Sequence, residues 1–99
     1  MEDFYRQVIL HYGEPHQITK SIEELNELST ALARYLGGNH SEDTLDNIAE
    51  EIADVKIMLG QLQIIFDNSE RVQEWKREKR IRTIARIARE ENGHEPWQD

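Results

Sequence analysis

The sequence predicts an all-α protein, a four-helix bundle completed by a second copy of the chain. Three observations lead there. Apolar residues recur at spacings of three and four with no strand-like alternation. Gly13, Gly37-Gly38 and the run Asp67-Asn68-Ser69 cut the chain into four segments, and one of those segments is apolar on nearly every side. The 99 residues are read as one domain over 1–91 with a flexible tail at 92–99, and so short a chain buries only roughly 60–65% of its unfolded surface. A core that small favours oligomerisation.

The first helix is expected over residues 3–12, stopped by Gly13. The second begins near Pro15, a residue suited to a first helical turn, and ends at Gly37-Gly38, where glycine can adopt the left-handed conformation of a helix terminus. Its Ile18, Ile22, Leu25, Ser29, Leu32 and Leu36 mark one face as core. The third helix starts after Ser41, carries Glu42 and Asp43 in a first turn whose dipole favours anions, and runs to about Phe66. Along "VKIMLGQLQIIF" Val55, Leu59, Leu62 and Phe66 form one stripe, while Ile57, Met58, Ile64 and Ile65 fall on other sides. A helix apolar all round needs cover all round, so a second subunit is expected against Met58 and Ile65. Ser69 is expected to cap the fourth helix, about 70–91, and "NGHEPWQD" supplies the tail.

Composition removes several classes of function. There is no cysteine, hence no disulfide scaffold and no thiolate metal site. No stretch approaches the roughly 18 apolar residues that span a bilayer, and the acidic start "MEDFYRQVIL" does not read as a signal peptide. A soluble, cytoplasmic protein without a membrane partner is expected. The net charge of -8 is unevenly spread: residues 1–70 carry 14 acidic and 4 basic side chains (-10), residues 71–89 carry 2 and 8 (+6), and residues 90–99 carry 4 acidic ones (-4). The basic run "WKREKRIRTIARIAR" reads either as a solvated face paired with acidic neighbours or as a surface for phosphate or nucleic acid. Nucleic acid is the weaker of these expectations.

The acidic pairs carry the chemistry. Residues three apart on a helix share a face, so Glu24 and Glu27 project together from the second helix, and Glu51 and Asp54 from the third. Both pairs lie beside aliphatic residues, and the short connection between the helices makes them antiparallel neighbours. Four carboxylates then converge on one region. They repel one another unless a hard cation sits among them, and oxygen-only ligation selects Mg²⁺, Mn²⁺ or Ca²⁺ over Zn²⁺. Mg²⁺ commonly shares phosphate oxygens with a substrate, so a magnesium-phosphate site is expected, with Mn²⁺ as an alternative. A di-iron bundle would need Glu-x-x-His motifs, and the one such spacing, Glu91 with His94, is interrupted by Gly93. His11, His16 and His40 fall at helix ends or loops without metal-ligand spacing.

Glu24-x-x-Glu27, an interval of 23 residues (28–50), then Glu51-x-x-Asp54 resembles the MazG family of all-alpha nucleoside triphosphate pyrophosphohydrolases, relatives of the dimeric dUTPases. The segments "IEELNELSTALARYL" and "DNIAEEIADVKIMLGQL" are similar to its small single-domain members, and the likeness covers roughly residues 13–85. The resemblance implies a MazG-like bundle, assembled as a homodimer or homotetramer, that hydrolyses a nucleoside triphosphate to the monophosphate and pyrophosphate. It implies that Glu24, Glu27, Glu51 and Asp54 are both the metal ligands and the catalytic acids. It points to Lys79 and Arg82 on the fourth helix for the phosphates, with Lys76 as an alternative. Gln17, two turns before Glu24, and Asn47, one turn before Glu51, are candidates for contact with sugar or base. The rival expectation is a non-catalytic helical module that binds nucleic acid or an acidic partner through helix 70–91.

Overall fold

The computed structural model describes residues 1–93, which form α1 (Glu2–Tyr12), α2 (Glu14–Leu36), α3 (Glu42–Ile65) and α4 (Ser69–Asn92), with no strand among them. The tail expected over 92–99 lies outside the described residues from His94 onward. No helix among the described residues is long and apolar enough to cross a membrane.

Local chemistry accounts for the breaks. Gly13 joins α1 to α2 at φ 93, a backbone conformation that a side chain disfavours, and Pro15 stands in the first turn of α2. At the other end of α2, Gly38 takes the left-handed value (φ 109) while Gly37 stays right-handed, and Asn39 N–H closes the turn onto Arg34 O at 3.2 Å. Ser41 caps α3 by accepting from Thr44 N–H at 3.2 Å. The start of α4 departs from expectation. Ser69 is already helical, and Asn68 holds the cap position without a side-chain cap bond, just after Asp67 has turned the chain at φ 48. Asp67 tolerates that angle because a short polar side chain suits the left-handed region better than a branched one.

The chain divides into two compact units, Met1–Asp67 and a second that begins at Asn68. In the first, α2 and α3 form the main contact and α1 packs on both. The ring of Tyr5 on α1 lies against Gly60 of α3, so closely that a methyl group on Gly60 would overlap it. The α2 seam is Gln17, Ser21, Glu24 and Ala31, with Leu28 half-buried; the α3 seam is Thr44, Glu51, Val55, Met58 and Gln61. These positions keep the three-and-four rhythm of a two-helix contact. At one end Gln17 donates to Gln61 Oε1 at 2.7 Å, with Gln61 only 1% exposed.

That seam is not the face the apolar periodicity marks. Of the α2 residues read as core, Ile18 is half-buried while Ile22, Leu25, Ser29, Leu32 and Leu36 are exposed. Met58 is buried within the chain, so it is not free to meet a second subunit, and Ile65 is half-buried. The physical reason is that a hairpin and one short helix can cover only one stripe of each long helix. Ala31, Val55 and Met58 are the buried apolar residues among those described, and burying a side chain the size of Val or Met stabilises by about 1.5–3 kcal/mol. A second apolar surface, with Leu25, Leu32, Ile52 and Leu59 among its members, faces outward.

The second unit is α4, and none of its described residues is buried. Trp75 has Lys79 Nζ and the Arg82 guanidinium each 5.8 Å from a ring centroid, within cation–π range.

Candidate metal centre

The seam of α2 and α3 places three carboxylates together. One oxygen from each of Glu24, Glu51 and Asp54 lies within 4.8 Å of the others; Glu24 and Glu51 are buried, and Asp54 is half-buried. Glu27, the fourth of the expected acids, is exposed and stands outside this group. It lines an adjoining cavity of about 280 Å³ together with Asn26, Thr30, Ala31, Arg34, Asn47 and Glu51. Glu51 thus belongs to both the cluster and the cavity.

The hydrogen bonds divide each buried carboxylate into an engaged oxygen and a bare one. Lys20, one turn before Glu24, approaches Glu24 Oε1 at 3.2 Å. Asn47, one turn before Glu51, donates to Glu51 Oε1 at 3.4 Å and itself accepts from Arg34 Nη1 at 3.4 Å. Glu24 Oε2 and Glu51 Oε2 are buried with no hydrogen-bond partner. Leaving a buried polar atom unsatisfied costs about 1–3 kcal/mol, and more when the group is charged. Two such atoms beside a third carboxylate make a site that is unfavourable until something positive enters it.

The crowding is felt by the third acid. Burial first, then the negative charge of Glu24 and a hydrogen bond to it, push the Asp54 carboxyl above the usual carboxylate range, while Lys20 pulls the other way. Glu24 in turn raises the Lys20 ammonium, through its hydrogen bond first and its charge second, against a smaller opposing effect of desolvation. The cluster could hold a metal ion: the donors are all oxygen, the set that suits a hard divalent cation, and two of them are bare.

The remaining expected contacts are placed as follows. Gln17 is buried with both ends of its amide engaged, donating to Gln61 and meeting His16 Nδ1 at 2.7 Å. Asn47 lines the cavity. Lys76, Lys79 and Arg82 are exposed on α4, and Arg82 also pairs with Glu78 at 2.7 Å. Two residues absent from the expectations, Lys20 and Arg34, adjoin the acids. Their spacing was the available signal: Lys20 is four residues before Glu24 and Arg34 seven after Glu27, so each shares a face with its acid.

Compared with models of protein families, with curated proteins and with solved structures, the chain matches none.

Proposed function

We propose that the protein is a Mg²⁺-dependent hydrolase that converts a nucleoside triphosphate to the monophosphate and pyrophosphate. The observation that carries the reading is the pair of buried, partnerless oxygens on Glu24 and Glu51 beside Asp54. The resemblance to the MazG family supplies the substrate class, since the spacing of the acids is its motif. Glu24, Glu51 and Asp54 are assigned to hold the cation, Mg²⁺ or Mn²⁺, with Glu27 at the cavity wall to add a ligand or orient the attacking water. When bound, the cation neutralises phosphate charge and makes a water more acidic.

The chain's own residues then have distinct tasks. Asp54, whose carboxyl is pushed above the usual carboxylate range, must be ionised to hold the cation. Lys20 must give way at Glu24 or remain as a compensating charge. By the family resemblance alone, Lys79 and Arg82, with Lys76 as the alternative, are the candidates on α4 for phosphate contact, where a cation would stabilise developing charge. Water adds its oxygen to the α-phosphorus, the bond to the bridging oxygen breaks, and the proton of the water passes to solvent or a carboxylate.

We further propose that the working form is a homodimer or homotetramer in the cytoplasm. The support is the uncovered apolar surface: Ile22 is 56% exposed, Leu25 46%, Ile52 42% and Leu59 45%. Large apolar side chains left exposed on both long helices are what a contact with another chain would cover.

The test is incubation with a panel of nucleoside triphosphates and Mg²⁺ in ¹⁸O-labelled water. The expected products are pyrophosphate and a nucleoside monophosphate carrying the label. Orthophosphate and nucleoside diphosphate as first products would overturn the proposed bond cleavage. A second reading, a binding module for polyanions, draws on the exposed cations and Trp75 of α4. It requires no turnover and an affinity that falls steeply with salt.

A further inference from the structure

We propose that Arg34 is the substrate-binding residue that grips the phosphate chain in the cavity beside the acid cluster. This rests on the reading of the site as a cation-dependent nucleotide hydrolase. It names a residue on α2, within the same compact unit as the acids.

The cavity is bipolar along its length. On the α2 wall Glu27, Thr30, Ala31 and Arg34 follow one another at spacings of three, one and three, which keeps them on one face. Seven residues separate Glu27 from Arg34, about 10 Å along the axis. Ala31, 1% exposed, contributes only a methyl group between them, which leaves the space open. Carboxylates therefore stand at one end, from Glu27 on α2 and Glu51 on α3, and a guanidinium at the other. A bare polyanion is repelled by the acids and a bare cation by the arginine. A phosphate chain carrying a divalent cation satisfies both ends.

Arg34 has no competing charge partner among the described residues. Arg6, Arg82 and Arg86 each reach a glutamate four residues away, at 2.8, 2.7 and 4.0 Å. The positions three and four residues from Arg34 are Thr30, Ala31, Gly37 and Gly38, so no acid can pair with it along the helix. Its one side-chain hydrogen bond among the described residues goes to a neutral acceptor, Asn47 Oδ1, at a long 3.4 Å. A guanidinium offers five N–H donors in a planar fork suited to phosphate. Through Asn47 the same side chain connects to Glu51, because donation into Oδ1 leaves the amide N–H₂ to face Glu51 Oε1. Phosphate recognition and the bare Glu51 Oε2 thereby lie on one chain of contacts.

The experiment measures equilibrium binding of Mn²⁺ alone, and of a non-hydrolysable α,β-methylene nucleoside triphosphate in the presence of Mn²⁺, to the parent protein and to Arg34→Ala, Arg34→Lys and Asn47→Ala. Helicity by circular dichroism accompanies each. Arg34→Ala is expected to weaken the analogue about tenfold to a hundredfold, the range for a charge-assisted hydrogen bond, while Mn²⁺ alone binds about as tightly as before. Arg34→Lys should recover part of the loss, since it keeps the charge and loses the fork. Unchanged analogue affinity in a folded Arg34→Ala overturns the proposal. So does an equal loss in Asn47→Ala, because Arg34 would then act only by holding the amide. A parent protein that binds Mn²⁺ but not the analogue also overturns it and leaves the cation site standing. One that binds neither removes the functional reading beneath it as well.

Discussion

Replacing Glu51 with Gln tests whether the acid cluster is built for a cation or merely tolerated. Two unit charges 4.8 Å apart, the outer separation of the ligand atoms, interact by 332/(20 × 4.8), or about 3.5 kcal/mol, at an effective dielectric near 20. That figure is a ceiling, because Lys20 beside Glu24 offsets part of the charge that Glu51 faces. Gln keeps the shape, and its amide can still meet Asn47 at one end while offering Glu24 Oε2 a donor at the other. Without metal, Glu51→Gln should therefore be more stable than the parent by about 1–2 kcal/mol, or roughly 5–15 °C in a domain of this size. With divalent cation the order reverses. A ligand at a hundred times its dissociation constant stabilises the parent by about 2.7 kcal/mol, and the variant should gain little. The assay is thermal denaturation at matched protein concentration, in chelator and in Mg²⁺ or Mn²⁺. The reasoning is refuted if the variant is less stable than the parent in chelator and still rises with cation as the parent does.

Other perturbations probe the rest of the molecule. Asp54 holds its proton to a higher pH in the native state than in the unfolded one, so its contribution is fully present at acid pH and is lost as pH rises through the raised native value; metal-free denaturation should show stability falling with pH just above the usual carboxylate range, and Asp54→Asn should remove that slope. Cation affinity should climb across the same window, because the cation competes with the proton, and a flat profile by titration calorimetry would count against the raised Asp54 carboxyl. Leu25→Glu or Ile52→Glu should give monomers where the parent is at least dimeric at micromolar concentration, read by light scattering; a monodisperse parent monomer would leave the outward apolar surface without its proposed role. Gly60→Ala should cost about 1–3 kcal/mol in chemical denaturation, since the ring of Tyr5 occupies the space, and Tyr5→Ala in the same chain should recover part of it.

The helices were legible because their ends are written locally. Gly13, the Gly37-Gly38 pair and Ser41 act through φ angles and capping bonds that involve only near neighbours. The grouping of Glu24, Glu51 and Asp54 was legible for a related reason, since helical spacing and a short hairpin leave few alternatives. The buried face was not. Apolar periodicity reports where the greasy residues are, and Ile22, Leu25 and Leu32 are indeed on one face, but the chain alone does not bury it. Whether a stripe meets its own hairpin partner or another chain depends on how many surfaces the fold has to offer. Nor could spacing show that Glu27 lines the cavity while its neighbour one turn away is sealed beneath the seam. Three residues turn a side chain by about 300° around a helix rather than a full circle, and that difference separates the two environments.

The Gln17–Gln61 bond has a consequence for alignment that its own energy understates. Gln17 precedes Glu24 by seven residues, and Gln61 follows Asp54 by seven. In an antiparallel pair, joining the two amides therefore brings the two carboxyls level two turns further along, about 10 Å away, and the same matching sets Glu27 level with Glu51. A slip of α3 by one turn would part the acids and strand two amides inside the seam, each at a cost of about 1–3 kcal/mol. The pair thus works as a vernier: it admits one setting of the two helices and makes neighbouring settings costly, with no group at the acid site itself taking part. Apolar residues at 17 and 61 could pack as well or better in several settings, and the chain would remain helical while losing the alignment on which its chemistry depends.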